Sequence, residues 1–210
     1  MVFLTVLKAM VTNLQLYGYL ELPTYIRRDS NVNQLCDHLY PHSLLNDGVN
    51  SHGALIGRAI LAFRNDTAND FNDFLVVRIP GQEYRFDAAN YVVVPDDSAG
   101  AEPFAVEYLQ SIGLASIQPS SLRLEMAAPI MLLRNLSPRE GLCNGIRMRV
   151  LGIRRTCLQD AIMGGRSNGK ICLLPRIKLT TTEEDLLFIL QGAQFPVQLC
   201  FSIRVNKFQG

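Results

Sequence analysis

Gly164-Gly165-Arg166-Ser167-Asn168-Gly169-Lys170 has the G-x-x-x-x-G-K spacing with which nucleotide-binding loops cradle phosphates. That chemistry needs a hydroxyl for Mg²⁺ at the next position and a helix whose N-terminus faces the phosphates. Ile171 stands where the hydroxyl belongs, and Ile171-Cys172-Leu173-Leu174-Pro175 reads as a strand, so a hairpin turn is predicted. Cys36, His38 and His42 lie close enough together to raise a metal site. Pro41 breaks the i, i+4 geometry of the two histidines and no convincing fourth ligand stands nearby, which predicts a helix end with surface histidines. There is no Ser-His-Asp order, no nucleophile elbow and no pair of carboxylates between strands. Glu183-Glu184-Asp185 fits a helix start, where negative charge is favourable.

Charge is the stronger signal. The net of +1 conceals a division: residues 1–118 carry a net of −6, residues 119–178 a net of +8, and residues 179–210 a net of −1. A polyanion partner for the middle segment follows from that separation. Within it, Ile146, Met148 and Val150 alternate with Arg147 and Arg149, which predicts a half-buried ribbon with guanidinium groups on its open face. A solvated strand face explains any one of these arginines, but explains eleven basic residues against three acids less well.

The elements that must position these side chains change character along the chain. Leu4, Leu7, Met10, Val11 and Leu14 have helical spacing. A second helix, capped by Asp29 or Ser30, carries Val32, Leu35, Cys36 and Leu39 and closes at Pro41. Ala59 to Phe63 reads as a short, fully buried strand, and Asn65 or Asp66 then caps a helix bearing Ala68, Phe71, Leu75 and Val76. Strand, polar turn, helix is the unit of an open α/β sheet, which holds ligands at the strand's carboxyl end. Tyr84–Phe86 and Tyr91–Val94 are strand-like, and a short helix is expected over 104–112. Gln118-Pro119-Ser120-Ser121 is the best internal boundary. Beyond it come strands over 122–126, 129–134, 146–153, 156–163, 170–175 and 186–190, spaced as in a small barrel or curled sheet.

At 210 residues there is room for one large or two small domains. No apolar run approaches the ~20 residues of a membrane span. Five widely spaced cysteines without a C-x-x-C pair argue for a reducing compartment.

The block AAPIMLLRNLSPREGLCNG (127–145) resembles the signature of the SH3-like insert in DNA helicases of the PIF (petite integration frequency) family. The resemblance is closest to the Helitron branch, the helicases of rolling-circle transposons. FPVQLCFSIRVNKFQG (195–210) resembles the same family's next motif, a strand running into Asn-Lys-Ser-Gln-Gly, with Phe208 where Ser is usual. LLPRIKL (173–179) also fits, and LPTYIRR (22–28), CDHLYP (36–41) and RAILAFRND (58–66) fit more loosely. This similarity implies an α/β fold: a partial RecA-like (P-loop NTPase-type) second domain over 1–118, a small SH3-like β-barrel inserted at 119–195, and a return strand with a DNA-contact motif at 196–210. It implies single-stranded DNA as partner, with Asn65, Asn206, Lys207, Gln209 and Gly210 carried over as contacts beside the basic Arg134, Arg147 and Arg149. ATP and Mg²⁺ belong to the full-length family, held by a phosphate loop, an acid and an arginine finger that have no match here. The chain alone is expected to bind neither, to need a further N-terminal helicase domain, and to be inactive by itself. The resemblance places it inside the cell, in the nucleus or mitochondrion of a eukaryote, without a membrane partner. Two other readings stand beside the helicase fragment: a non-enzymatic nucleic-acid-binding module, and the inactive product of a decayed transposon gene.

Overall fold

The computed structural model describes residues 5–6, 29, 31–93, 121–180 and 189–205. The helices expected over 104–112 and at 183–185, the boundary at Gln118 and the motif 206–210 lie outside the described residues.

The chain opens on β1 (Thr5–Val6), a strand where apolar spacing predicts a helix. A short apolar run matches a strand and a helix equally well; the rest of the expected helix lies outside the described residues. Helix α1 (Val32–Leu39) follows, with Leu35, Cys36 and Leu39 buried. Its cap is Asn31 rather than Asp29 or Ser30, because the Asn31 side chain accepts the Gln34 N–H at 2.9 Å. After Pro41 come α2 (His42–Asn46), a 3-10 turn at Gly48–Ser51, and α3 (His52–Ile56). Strand β2 (Ile60–Ala62) is buried throughout, and α4 (Asn65–Val76) lays Ala68, Phe71, Leu75 and Val76 into the core as the spacing predicts. The N-cap position of α4 is Arg64, without a side-chain cap, so neither Asn65 nor Asp66 fills it. Asp66 instead accepts the Thr67 N–H at 2.7 Å and pairs with Arg64. Together these hold its carboxyl below the ordinary carboxylate range.

Two short strands, β3 (Tyr84–Asp87) and β4 (Ala89–Val93), lead to β5 (Ser121–Leu124), β6 (Pro129–Leu132), β7 (Arg147–Ile153) and β8 (Cys157–Ile162). The rest are β9 (Ile171–Pro175), β10 (Ile177–Thr180), β11 (Ile189–Gln194), β12 (Val197–Leu199) and β13 (Ser202–Arg204). They form a parallel sheet β1-β2-β13, an antiparallel sheet β12-β6-β7-β8-β9, and smaller sheets β10-β11-β4 and β3-β5. The predicted barrel does not close: among the described residues β12 and β9 are opposite edges of the five-stranded sheet. Strands from either side of Gln118 share sheets, β3 with β5 and β4 with β11.

One core runs through both halves. Leu35, Tyr40, Phe71 and Leu75 of the helical part lie in the same buried cluster as Ile130, Met148, Val150, Leu158 and Ile162 of the five-stranded sheet. A smaller cluster, Leu61, Met131, Cys200 and Ile203, joins β2 to β6 and β13. The run 197–205, expected to be one strand, divides at Cys200-Phe201 between two sheets. Asn72 fixes that division. It donates to the carbonyls of Leu199 (3.2 Å) and Ser202 (3.0 Å) and accepts the Ser202 N–H at 2.9 Å. Asn72→Ala strands three buried backbone groups and should cost about 2–3 kcal/mol in urea unfolding. An unchanged midpoint would show that water replaces the amide there.

Candidate nucleic-acid interface

The parallel sheet sets the site. Ala62 is in register with Arg204, so the carboxyl ends of β2 and β13 lie side by side. The chain leaves β2 through Phe63 and Arg64 into α4, whose first residue is Asn65. Asn69 follows one turn later on the same helix face. Between α4 and β13 lies a cleft of about 180 Å³ lined by Asn65, Asn69, Asn72, Gln198, Ser202 and Arg204, with Ala68 and Ile203. No lining residue is acidic. Asn65 and Arg204 are exposed, and Arg204 has no ion-pair partner among the described residues. Ser202 is fully buried, and its Oγ has no hydrogen-bond partner among the described residues.

Asn65 is therefore where an open α/β sheet places ligands. Arg134 is exposed just beyond the end of β6. Asn206, Lys207, Gln209 and Gly210 lie outside the described residues.

Arg147 and Arg149 are not on an open face, and this corrects the sequence reading. Arg149 is 1% exposed; its Nη2 donates to the Gly48 carbonyl and, at 2.8 Å, to Ser51 Oγ. Arg147 donates to the carbonyls of Ile56 (3.1 Å) and Arg58 (2.8 Å), with Cys200 O at 3.5 Å. Alternation along β7 does set the arginines opposite Met148 and Val150, but the 48–58 segment covers their side. Their positive charge is answered mainly by backbone carbonyls of the 48–58 segment instead of by solvent. Tyr40 completes this junction, its hydroxyl 2.9 Å from Phe201 O and 3.1 Å from Arg58 O.

Most exposed cations of the basic segment sit in or beside its turns; Lys178, on β10, is exposed within a strand. Arg139 lies in the β6–β7 connection, Arg166 and Lys170 lie between β8 and β9, and Arg154 and Arg155 lie at the sheet's other end. The first two turns touch. Lys170 approaches Glu140 at 4.0 Å, and a Cβ built on Gly141 (φ 87°) would lie 2.9 Å from Ser167 Oγ.

The 164–170 loop does not fit a nucleotide. It is a hairpin turn, as predicted, and part of its backbone is already used within the turn. The N–H groups of Gly164, Gly169 and Lys170 donate to Asn168 Oδ1 (2.9 Å), Ile162 O (2.8 Å) and Ser167 O (3.0 Å). His52 Nε2, 3.1 Å from Asn168 Oδ1, ties the same loop to α3.

Residues 107–153 match the family model "DNA helicase Pif1, 2B domain". Over this stretch the chain is similar to the 2B domain of PIF-family DNA helicases. Solved structures agree in fold. Unliganded Pif1 from Bacteroides sp. shares 18% identity and a TM-score of 0.50, over 73% of this chain and 43% of that one. Pif1 from Candida albicans shares 18% identity and a TM-score of 0.53, over 73% and 36%. A third structure, of two coordinating Pif1 helicases at forked dsDNA, shares 19% identity and a TM-score of 0.50, over 83% and 34%. The chain thus spans less than half the length of these PIF-family proteins. No curated protein matches it by sequence.

Arg204, Asn69 and Ser202 escaped the sequence reading. The i, i+4 spacing of Asn65 and Asn69 was legible, but Arg204 joins them only through the parallel pairing of β2 with β13.

Proposed function

We propose that this chain supplies single-stranded DNA contacts to an ATP-dependent DNA helicase of the PIF family, in its Helitron-like branch. One observation carries the reading: Asn65 and Arg204 meet at an acid-free cleft at the carboxyl ends of adjacent parallel strands, and β13 leads directly toward Asn206–Gly210. Phosphate oxygens of a strand crossing that end would meet the Arg204 guanidinium and the amides of Asn65 and Asn69. Asn206, Lys207, Gln209 and Gly210 would extend the path, with Arg134 as a further basic contact. In this reading residues 1–118 form the RecA-like part, 119–195 the β insert and 196–210 the return strand. ATP and Mg²⁺ would be held by residues outside this sequence.

A non-enzymatic nucleic-acid-binding module is the second reading, favoured by the hairpin geometry of the 164–170 loop, which leads into strand β9 and not into a helix. Fluorescence anisotropy with a single-stranded oligonucleotide tests the common ground. Binding should weaken with salt and ignore an ATP analogue. Arg204→Ala should reduce the slope of log K against log salt by ~0.7, the value for one phosphate contact on a single strand. An unchanged slope would remove the cleft from the DNA path. Nucleotide-dependent affinity would contradict the reading of the 164–170 loop.

A further inference from the structure

Phe63 departs from the buried strand it was expected to finish. Ile60, Leu61 and Ala62 are buried, yet Phe63 is 56% exposed. It stands one residue beyond the Ala62–Arg204 register pair and one residue before Arg64, the N-cap position of α4. The ring is therefore at the same end of the sheet as Asn65 and Arg204, which form one end of the cleft lining. That cleft offers what an oxyanion needs: the Arg204 guanidinium, the amides of Asn65 and Asn69, and the N-terminus of a 12-residue helix. The buried, unpartnered Ser202 Oγ adds a hydroxyl among the lining groups. Asp66 is the nearest acid in sequence, and its carboxylate is already paired with Arg64.

We infer that Phe63 is a stacking platform for a base of single-stranded DNA, and that the cleft beside it takes a neighbouring backbone phosphate. This rests on the DNA-binding reading and adds a source of selectivity to it. Every base has a π-face, so stacking tolerates sequence, whereas a duplex keeps its base faces covered. A chain using the ring and cleft together prefers single strands over duplex, and cations alone give no such preference.

The chain contains no tryptophan, so Phe63→Trp introduces a unique fluorophore at the site. Its emission should be quenched by a single-stranded oligonucleotide and left unchanged by an abasic strand of equal charge. Phe63→Ala and Phe63→Leu should each weaken binding of the base-bearing strand by roughly tenfold while leaving the abasic strand and the salt slope alone. Leucine matters because it keeps an apolar surface without a π-face. Full affinity in Phe63→Leu would point to plain apolar docking and overturn the inference, as would equal quenching by both strands. If the unaltered chain bound neither strand, the DNA reading itself would fall. If it bound the base-bearing strand and Phe63→Ala bound it equally, only the stacking role would.

Discussion

Arg149→Glu should unfold the junction between the five-stranded sheet and the helical part, while Arg149→Met should leave the protein about as stable as before. The contrast follows from the guanidinium's partners. Nη2 is satisfied by Gly48 O and Ser51 Oγ, but Nε and Nη1 are buried with no partner among the described residues. Burial draws its pKa down, and the Asp47 carboxylate opposes that only in part. A glutamate here sets a carboxylate against a carbonyl with no guanidinium to answer it. Breaking a buried charged contact costs about 3–5 kcal/mol, a large share of the roughly 5–15 kcal/mol that holds a domain together. Methionine fills a similar volume and removes the unpaired N–H groups, which offsets the bonds it loses. Urea denaturation of both variants decides the point. A stable Arg149→Glu protein with merely weaker DNA affinity would return Arg149 to an open face.

Asp160→Leu should stabilise the protein, and by more as pH rises. Asp160 is fully buried among the core side chains of β8, with neither carboxyl oxygen hydrogen-bonded among the described residues. Desolvation raises its pKa from 3.8 to about 8. The folded state thus holds the proton more tightly than the unfolded state. Below pH 3.8 the acid is neutral in both and costs nothing through ionisation. Between there and about 8 the unfolded chain releases the proton and the folded one keeps it, so stability falls by about 1.4 kcal/mol per pH unit. By pH 7 the loss is roughly 4 kcal/mol, and above the folded pKa it levels off. Leucine removes the titration and matches the surrounding Leu158, Ile162, Met148 and Val150. Stability of the parent protein that did not decline between pH 5 and 8 would mean that Asp160 finds a partner or water. The same charge lies behind part of the rise of the neighbouring Cys172 thiol to about 11, after burial itself.

Local periodicity carried most of the elements. Strand β7 and helix α4 were readable because their apolar positions repeat every two residues or every three to four, and β6 and β9 because short apolar runs stand between turn signals. Alternation on β7 separated two faces correctly, but it says nothing of what covers either one. Arginines on the second face were assigned to solvent, when the cover is Gly48–Arg58, some ninety residues earlier in the chain. Non-local pairing hid the rest. The cleft needs β13 beside β2, a register that no turn between them dictates. The run 197–205 is apolar through Cys200-Phe201, so nothing local marks the change of sheet. Phe63 looked buried because phenylalanine after Ile-Leu-Ala extends an apolar run.

The connection between β12 and β13 sets how force travels through the molecule. Two residues extended span only about 7 Å, and both are held: Cys200 N–H donates to Pro129 O at 3.0 Å, and Phe201 O accepts the Ile60 N–H at 2.9 Å. The link has no slack. A pull applied along the five-stranded sheet therefore arrives at β13, and at Arg204 in the cleft lining, without first stretching a flexible tether. The five-stranded and parallel sheets are therefore coupled mechanically at Cys200-Phe201.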